Sequence, residues 1–148
     1  MQAIRMLVVG DNVDFVEGLQ AWLVRESDIQ IVGIEHSGGA AIEQVAALRP
    51  QIVLMDVTMA GMSGFEACRR IRADNGAPVI VLMTFHESDT VRHESAAAGA
   101  DAVIGKGHIA TTLLPLVREL AGWAAESRSD GTRSNKQEKP EKPQKPQP

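Results

Sequence analysis

Short apolar runs rich in β-branched residues alternate with longer amphipathic segments along the first part of the chain. The apolar runs cover residues 4–9, 29–34, 52–55, 79–83 and 102–104. Between them, apolar side chains recur at helical spacing, for example at Phe15, Leu19, Trp22 and Leu23, and at Ala41, Ile42, Val45 and Leu48. The pattern predicts five consecutive strand–helix units.

The start of the last helical segment depends on Pro115, which has no backbone N–H to donate inside a helix. If Thr111 is the N-cap, Pro115 falls within the first turn, where N–H groups need no partner inside the helix. The sequence therefore predicts that the fifth helix begins at about Thr111.

Strands that are separated by helices form a parallel sheet, because each crossover connection is right-handed and returns the chain to the same side. All strand ends then meet at one edge, where such folds place their functional sites. The residues expected there are Asp11 after the first strand, Asp56 after the third run, Thr84 after the fourth and Lys106 after the fifth. The second strand ends at Glu35–His36, for which we predict no role.

Asp56 is the most informative of these residues, because it ends the apolar run Ile52–Met55 with a charge. Taken singly, each residue has an ordinary explanation. An aspartate at a strand end is often a helix cap or a turn residue, and a lysine at the rim of a domain is usually solvated. Two carboxylates, a hydroxyl and an amine at one edge together favour a functional site.

Length and composition limit the class of protein. A chain of 148 residues is sufficient for one domain with a substantial core. Cys68 is the single cysteine, which excludes an intramolecular disulfide and favours a reducing compartment, so we expect a cytoplasmic protein. No apolar run approaches the roughly 20 residues of a membrane helix, so no membrane association is expected.

Charge and proline content divide the chain in two. Residues 1–123, the predicted domain, hold nine Lys and Arg against fifteen Asp and Glu, and this net charge of −6 argues against direct nucleic-acid binding. Residues 124–148 hold six basic and four acidic residues, with four prolines in the last nine positions. We predict a disordered tail there, with a docking segment or tether as the functional alternative.

Four segments give the chain a resemblance to a known family. They are LVVGDN, IVLMDVTMAGMSGFEACRRIR, VIVLMTF and AAGADAVIGKG. Over about residues 3–123 the chain resembles the receiver domain of two-component response regulators. The resemblance implies a flavodoxin-like α/β fold, which is a five-stranded parallel sheet of order 2-1-3-4-5 with helices on both faces.

The resemblance also implies the chemistry of the site. Asp56 is expected to accept a phosphoryl group, with Thr84 and Lys106 contacting that group. Mg²⁺ is expected as the cofactor, held by the carboxylates of Asp11 and Asp56 and by the backbone carbonyl of Thr58, because this ion prefers oxygen ligands. The chain is then a signalling domain and not an enzyme beyond its own phosphorylation and dephosphorylation.

The expected partners follow from the same resemblance. A sensor histidine kinase or a phosphotransfer protein would supply the phosphoryl group. A downstream protein would respond to a shift of the surface around the fourth helix, fifth strand and fifth helix. We expect a monomer or weak homodimer without an output domain, because residues 124–148 cannot form one.

Five positions depart from the usual receiver pattern. Gly10 replaces an acid, Ala60 a proline, Ser63 an aspartate, Val103 an aromatic residue and Gly107 a proline. Loss of the acid at position 10 is expected to weaken Mg²⁺ binding about tenfold. Without a proline after Lys106, the loop there is expected to differ in shape, since a cis bond before glycine is unfavourable.

Two alternatives to a phosphoryl-accepting receiver follow from the sequence. The first is a degenerate receiver that binds partners without phosphorylation, suggested by Gly10 and Val103. The second is an aspartate-nucleophile phosphatase of the haloacid dehalogenase type, suggested by Asp56-Val57-Thr58. In that family the nucleophile ends the first strand and a second aspartate is usual at the position of Thr58.

Overall fold

The computed structural model describes residues 2–74 and 76–130. Its strands are β1 (Ile4–Val9), β2 (Ile29–Glu35), β3 (Ile52–Asp56), β4 (Val79–Thr84) and β5 (Ala102–Gly105). Its helices are α1 (Val13–Leu23), α2 (Gly38–Leu48), α3 (Gly64–Arg72), α4 (Asp89–Ala97) and α5 (Ile109–Asp130). A short 3₁₀ turn, Lys106–His108, links β5 to α5.

The five strands form one parallel sheet in the order β2-β1-β3-β4-β5. This confirms the predicted fold class and strand order. Every strand lies where an apolar run predicted it, and four of the five extend one residue further at the C-terminal end. The additional residues include Asp56 and Thr84, so these two side chains are fixed by the sheet itself.

Alternate residues of the central strands pack into separate apolar layers on the two faces of the sheet. In β1, Met6 and Val8 contact the layer that includes residues of α1 and α5, whereas Leu7 and Val9 contact the layer that includes residues of α2 and α3. Both sets are fully buried. Burial on both faces explains why the strands are continuous apolar runs and not alternating ones.

Short polar side chains start the first four helices. Asn12, Ser37, Ser63 and Ser88 each accept a hydrogen bond from the backbone N–H three residues later. These bonds satisfy donors that have no partner inside the helix. Ser63 therefore caps α3 although an aspartate is more usual at this position in receivers.

The predicted start of the fifth helix is wrong. Helix α5 begins at Ile109, and Pro115 lies inside it and not in its first turn. Thr111 is not the N-cap, because its hydroxyl donates to the His108 carbonyl at 3.3 Å. Pro115 is tolerated on the exposed side of the helix, where water can bond the carbonyl left without an N–H donor.

Helix α5 continues past residue 123 to Asp130, and the division into a domain and a tail stays a prediction. Residues 124–130 continue an existing helix, which costs far less than nucleating a new one. The rest of the predicted tail, residues 131–148, lies outside the described residues. In the part of the chain that the structure describes, no helix is sufficiently long and apolar to cross a bilayer.

Candidate functional site

The carboxylate of Asp56 and the ammonium of Lys106 form a short ion pair at the C-terminal edge of the sheet. Asp56 ends β3, and Lys106 follows β5. The Nζ atom of Lys106 lies 2.6 Å from Oδ1 of Asp56, and the two side chains are only 6% and 3% exposed. The topology thus brings together the two residues that the sequence predicted as phosphoryl acceptor and phosphoryl-binding cation.

Burial controls the protonation of Asp56. Removal from water raises the pKa of this carboxyl above its usual range. The hydrogen bond and positive charge of Lys106 oppose the shift without cancelling it, and the nearby charge of Asp11 adds to it. The influence of Asp11 shows that the two carboxylates share one electrostatic environment.

Asp11 is fixed to the loop that follows β3. Its Oδ2 atom accepts a hydrogen bond of 2.7 Å from the backbone N–H of Ala60. A proline at position 60, as is common in receivers, has no N–H and could not make this bond. The sequence revealed the substitution, but the bond it permits depends on a contact between residues 49 positions apart.

The space beside Gly10 is occupied by Asp56. A Cβ atom on Gly10 would lie 2.6 Å from Oδ2 of Asp56 and 3.0 Å from Cγ2 of Val16. Any side chain at position 10 therefore requires the Asp56 carboxylate to turn. His36, for which the sequence suggested no role, lies next to this point, with Nδ1 3.0 Å from the Gly10 carbonyl oxygen.

Gly64 allows the start of α3 to approach the end of β3. A Cβ atom at this position would collide with the backbone carbonyl of Asp56 and with Val57. The Gly64 N–H donates to the Val57 carbonyl at 2.7 Å. This close contact holds the backbone that carries Asp56.

Thr84 is buried at the same edge, but its hydroxyl is bonded to its own loop. It accepts a hydrogen bond from the His86 N–H at 3.2 Å and donates to the His86 carbonyl at 3.3 Å. Val103, which replaces the usual aromatic residue, is half-buried and packs against the α2–α3 side of the core. No peptide bond among residues 2–74 and 76–130 is cis, so Lys106 and Gly107 are joined in trans.

Two phenylalanines complete the surroundings of Lys106. Its ammonium nitrogen lies 4.3 Å from the centroid of the Phe15 ring and 4.2 Å from that of Phe85. Sequence reasoning missed both contacts, having assigned Phe15 only to a helical apolar pattern. The only signal for Phe85 in the sequence is that an aromatic residue directly follows Thr84, which was predicted to contact the phosphoryl group.

The donor set fits a hard divalent cation of modest affinity. Asp11 and Asp56 supply carboxylate oxygens, and the loop that contains Thr58 is joined to Asp11 through Ala60. Within the described residues, no group of three or more His, Cys, Asp or Glu side chains forms a metal site. Two carboxylates and a backbone carbonyl suit Mg²⁺, which commonly keeps several waters.

Other chemically versatile residues serve the structure. Cys68 is buried, and burial raises the pKa of its thiol to about 11. Arg69 and Arg70 pair with Glu66 on an exposed face of α3. Arg72 differs, because its guanidinium is half-buried and bonded to Asp101.

Comparisons with known proteins agree with this arrangement. A family model described as the response regulator receiver domain matches residues 6–118. The response regulator domain of CheB from Thermotoga maritima superimposes with a TM-score of 0.76 at 25% identity, over 82% of this chain and 98% of that one.

Two curated relatives extend the comparison. A protein-glutamate methylesterase/protein-glutamine glutaminase from Nocardioides sp. is 39% identical over 108 residues, which are 72% of this chain and 30% of that protein. The response regulator protein VraR of Staphylococcus saprophyticus is 31% identical over 78% of this chain and 56% of its own length. The chain thus spans 30% of the length of the first relative and 56% of the length of the second. It belongs to the family of response regulator receiver domains.

Proposed function

We propose that Asp56 accepts a phosphoryl group from a phosphohistidine of a sensor kinase or a phosphotransfer protein. The buried pair of Asp56 and Lys106, 2.6 Å apart at the strand edge, carries this proposal. A carboxylate is a nucleophile that needs no base once it is ionised. The adjacent ammonium supplies the positive charge that the approach of a second anion requires.

In the transfer step, a carboxylate oxygen of Asp56 attacks phosphorus and the phosphorus–nitrogen bond of the donor breaks. The bonding electrons remain on the imidazole nitrogen, and the product is an acyl phosphate. Lys106 then neutralises phosphoryl oxygens in place of the carboxylate charge. Its flexible side chain suits this change of partner, because an ammonium acts as a point charge without a fixed bonding plane.

Asp11, the Asp56 carboxylate and the Thr58 carbonyl are the groups that would hold Mg²⁺. When bound, the ion would neutralise negative charge on the incoming phosphoryl group. The Ala60 N–H orients the Asp11 carboxylate for this purpose. Gly10 leaves the site with one acid fewer than usual, so affinity for the ion is expected to be low.

Thr84 would connect phosphorylation to the partner-binding surface. Its hydroxyl bonds of 3.2 and 3.3 Å to His86 are long and can be exchanged for a phosphoryl oxygen. That exchange would shift the loop between β4 and α4. The downstream partner would then detect the altered surface of α4, β5 and α5, with no ring movement at Val103.

A receiver that binds partners independently of phosphorylation is the second candidate. The Asp56 carboxylate occupies the space next to Gly10, where receivers usually carry an acid, and this observation favours it. In that case the ion pair would serve only to hold the strand ends together.

The test is intact-mass detection of a phosphoryl adduct of about 80 Da after incubation with a small-molecule phosphodonor. We expect a Mg²⁺-dependent adduct in the wild type and none in Asp56→Asn. Asp74→Asn, exposed near the opposite edge, is the matched control and should retain it. A folded wild-type protein that forms no adduct at any Mg²⁺ concentration would favour the phosphorylation-independent receiver.

A further inference from the structure

The Lys106 ammonium lies against two aromatic rings while it contacts Asp56. The ring centroids of Phe15 and Phe85 are 4.3 and 4.2 Å from its nitrogen, within the range of cation–π attraction. We infer that these two phenylalanines, together called the aromatic slot, are positioning residues that retain the Lys106 ammonium when its anionic partner changes from carboxylate to phosphoryl group. The inference rests on the proposed function of Asp56.

Two separate elements fix the rings of the aromatic slot. Phe15 belongs to the first turn of α1, and its backbone N–H donates to the Asn12 side chain at 3.0 Å. Phe85 directly follows Thr84, the last residue of β4. One ring of the slot is therefore held by a helix start and the other by a strand end.

Phe85 contacts the buried Lys106 although most of the Phe85 residue is exposed. The residue is 68% exposed, which is unusual for a phenylalanine, whereas the Lys106 side chain beneath it is only 6% exposed. The ring thus shields the ammonium from water. Shielding strengthens the attraction between the ammonium and any anion at the site.

The chemistry of the contacts explains why rings suit this task. A carbonyl or carboxylate partner accepts a directed hydrogen bond and would hold the ammonium in one orientation. A ring face attracts a cation through its quadrupole, without directing a particular N–H group. Lys106 can therefore turn toward a phosphoryl oxygen while both ring contacts persist.

Nuclear magnetic resonance tests the geometry without any activity. Protons on Cε of Lys106 should resonate upfield, because they lie against two ring faces. Phe15→Leu and Phe85→Leu should each remove part of this shift, and Phe85→Tyr should retain it. Phe65→Leu is the matched control, since Phe65 packs on α3 against the other face of the sheet. Absence of an upfield shift in the wild type would refute the slot.

Phosphorylation rates test the role of the slot. Leucine keeps the bulk but removes the ring face, so each Leu variant should be phosphorylated about two- to fivefold more slowly at limiting phosphodonor. Phe85→Tyr should restore the rate, and Phe65→Leu should leave it unchanged. An unchanged or faster rate in Phe85→Leu, together with loss of its upfield shift, would overturn the inference. A wild type that forms no adduct would instead reject the proposed function of Asp56.

Discussion

Two ion pairs with buried carboxylates lie at opposite edges of the sheet. At the C-terminal edge, Lys106 lies 2.6 Å from Asp56, which is 3% exposed. At the N-terminal edge, Arg72 lies 2.8 Å from Asp101, which is 9% exposed. The distances and the burial of the carboxylates are similar, although the Arg72 side chain is 32% exposed and that of Lys106 only 6%. The surroundings of the two pairs differ completely.

Directed hydrogen bonds fix the pair at the N-terminal edge. The Arg72 guanidinium also donates to the carbonyls of Gly99 at 2.9 Å and Pro78 at 3.1 Å. Asp101 in turn accepts the backbone N–H of Ile80 at 2.9 Å. These bonds connect the end of α3 to the starts of β4 and β5. They therefore hold Arg72 and Asp101 in a single arrangement.

The pair at the C-terminal edge lacks such bonds. Among residues 2–74 and 76–130, no backbone N–H donates to the Asp56 carboxylate, and the other neighbours of the Lys106 ammonium are ring faces. The Arg72–Asp101 pair is thus structural, because directed hydrogen bonds fix it. The Lys106–Asp56 pair has few such bonds and is adaptable, which means that its members can change partners. An adaptable pair is what a site of covalent modification requires.

The largest expected effect is on the structural pair. Arg72→Ala should lower the free energy of unfolding by about 2–3 kcal/mol, because it removes the cation paired with Asp101 and the guanidinium donor to two backbone carbonyls. Arg70→Ala, which removes only an exposed pair, should cost less than about 1 kcal/mol. Urea denaturation of the two variants measures the difference. Equal losses of unfolding free energy in the two variants would show that Arg72 stabilises the fold no more than Arg70 does.

A smaller effect is expected from adding an acid beside the adaptable pair. Gly10→Asp should tighten Mg²⁺ binding about tenfold, or about 1.4 kcal/mol, relative to Gly10→Asn. Both variants displace the Asp56 carboxylate equally, so their difference isolates the added charge. Isothermal titration calorimetry provides the two dissociation constants. Identical dissociation constants would mean that a carboxylate at position 10 does not contribute to Mg²⁺ binding at this edge of the sheet.

The smallest effect concerns the charge of Asp56 itself. Because the pKa of its carboxyl is raised in the folded state, its ionisation destabilises the fold at neutral pH, and this cost disappears as pH falls below the ordinary value of 3.8. Asp56→Asn should therefore unfold at a higher urea concentration than the wild type at pH 7. The difference from wild type, measured in chelator, should shrink on acidification. A difference that grows at low pH would contradict the raised pKa.

The positions of the strands could be predicted because they depend on local patterns, whereas their order in the sheet was implied by the resemblance to receiver domains. An apolar run such as Ile52–Met55 indicates a buried strand without reference to the rest of the chain. Parallel topology then places Asp56 and Lys106 at one edge of the sheet. Residue types at strand ends were thus sufficient to predict that these two side chains meet.

Contacts between distant elements could not be predicted in this way. Phe15 fits a helical apolar pattern whether or not it also contacts Lys106, and the bond from Ala60 to Asp11 involves a backbone group that no pattern reveals. Arg72 looks like Arg69 and Arg70 in sequence, and only its half-buried position distinguishes it. The bounds of α5 were missed because an exposed proline is compatible with a helix interior.

Helix α4 is attached to the sheet by very little apolar surface. Ser95 is its only buried residue, and the Ser95 hydroxyl has no hydrogen-bond partner within the described part of the chain. A buried hydroxyl without a partner costs about 1–3 kcal/mol. Local unfolding of α4 should therefore require less free energy than opening of the central strands, so its amide hydrogens should exchange with solvent well before those of β3.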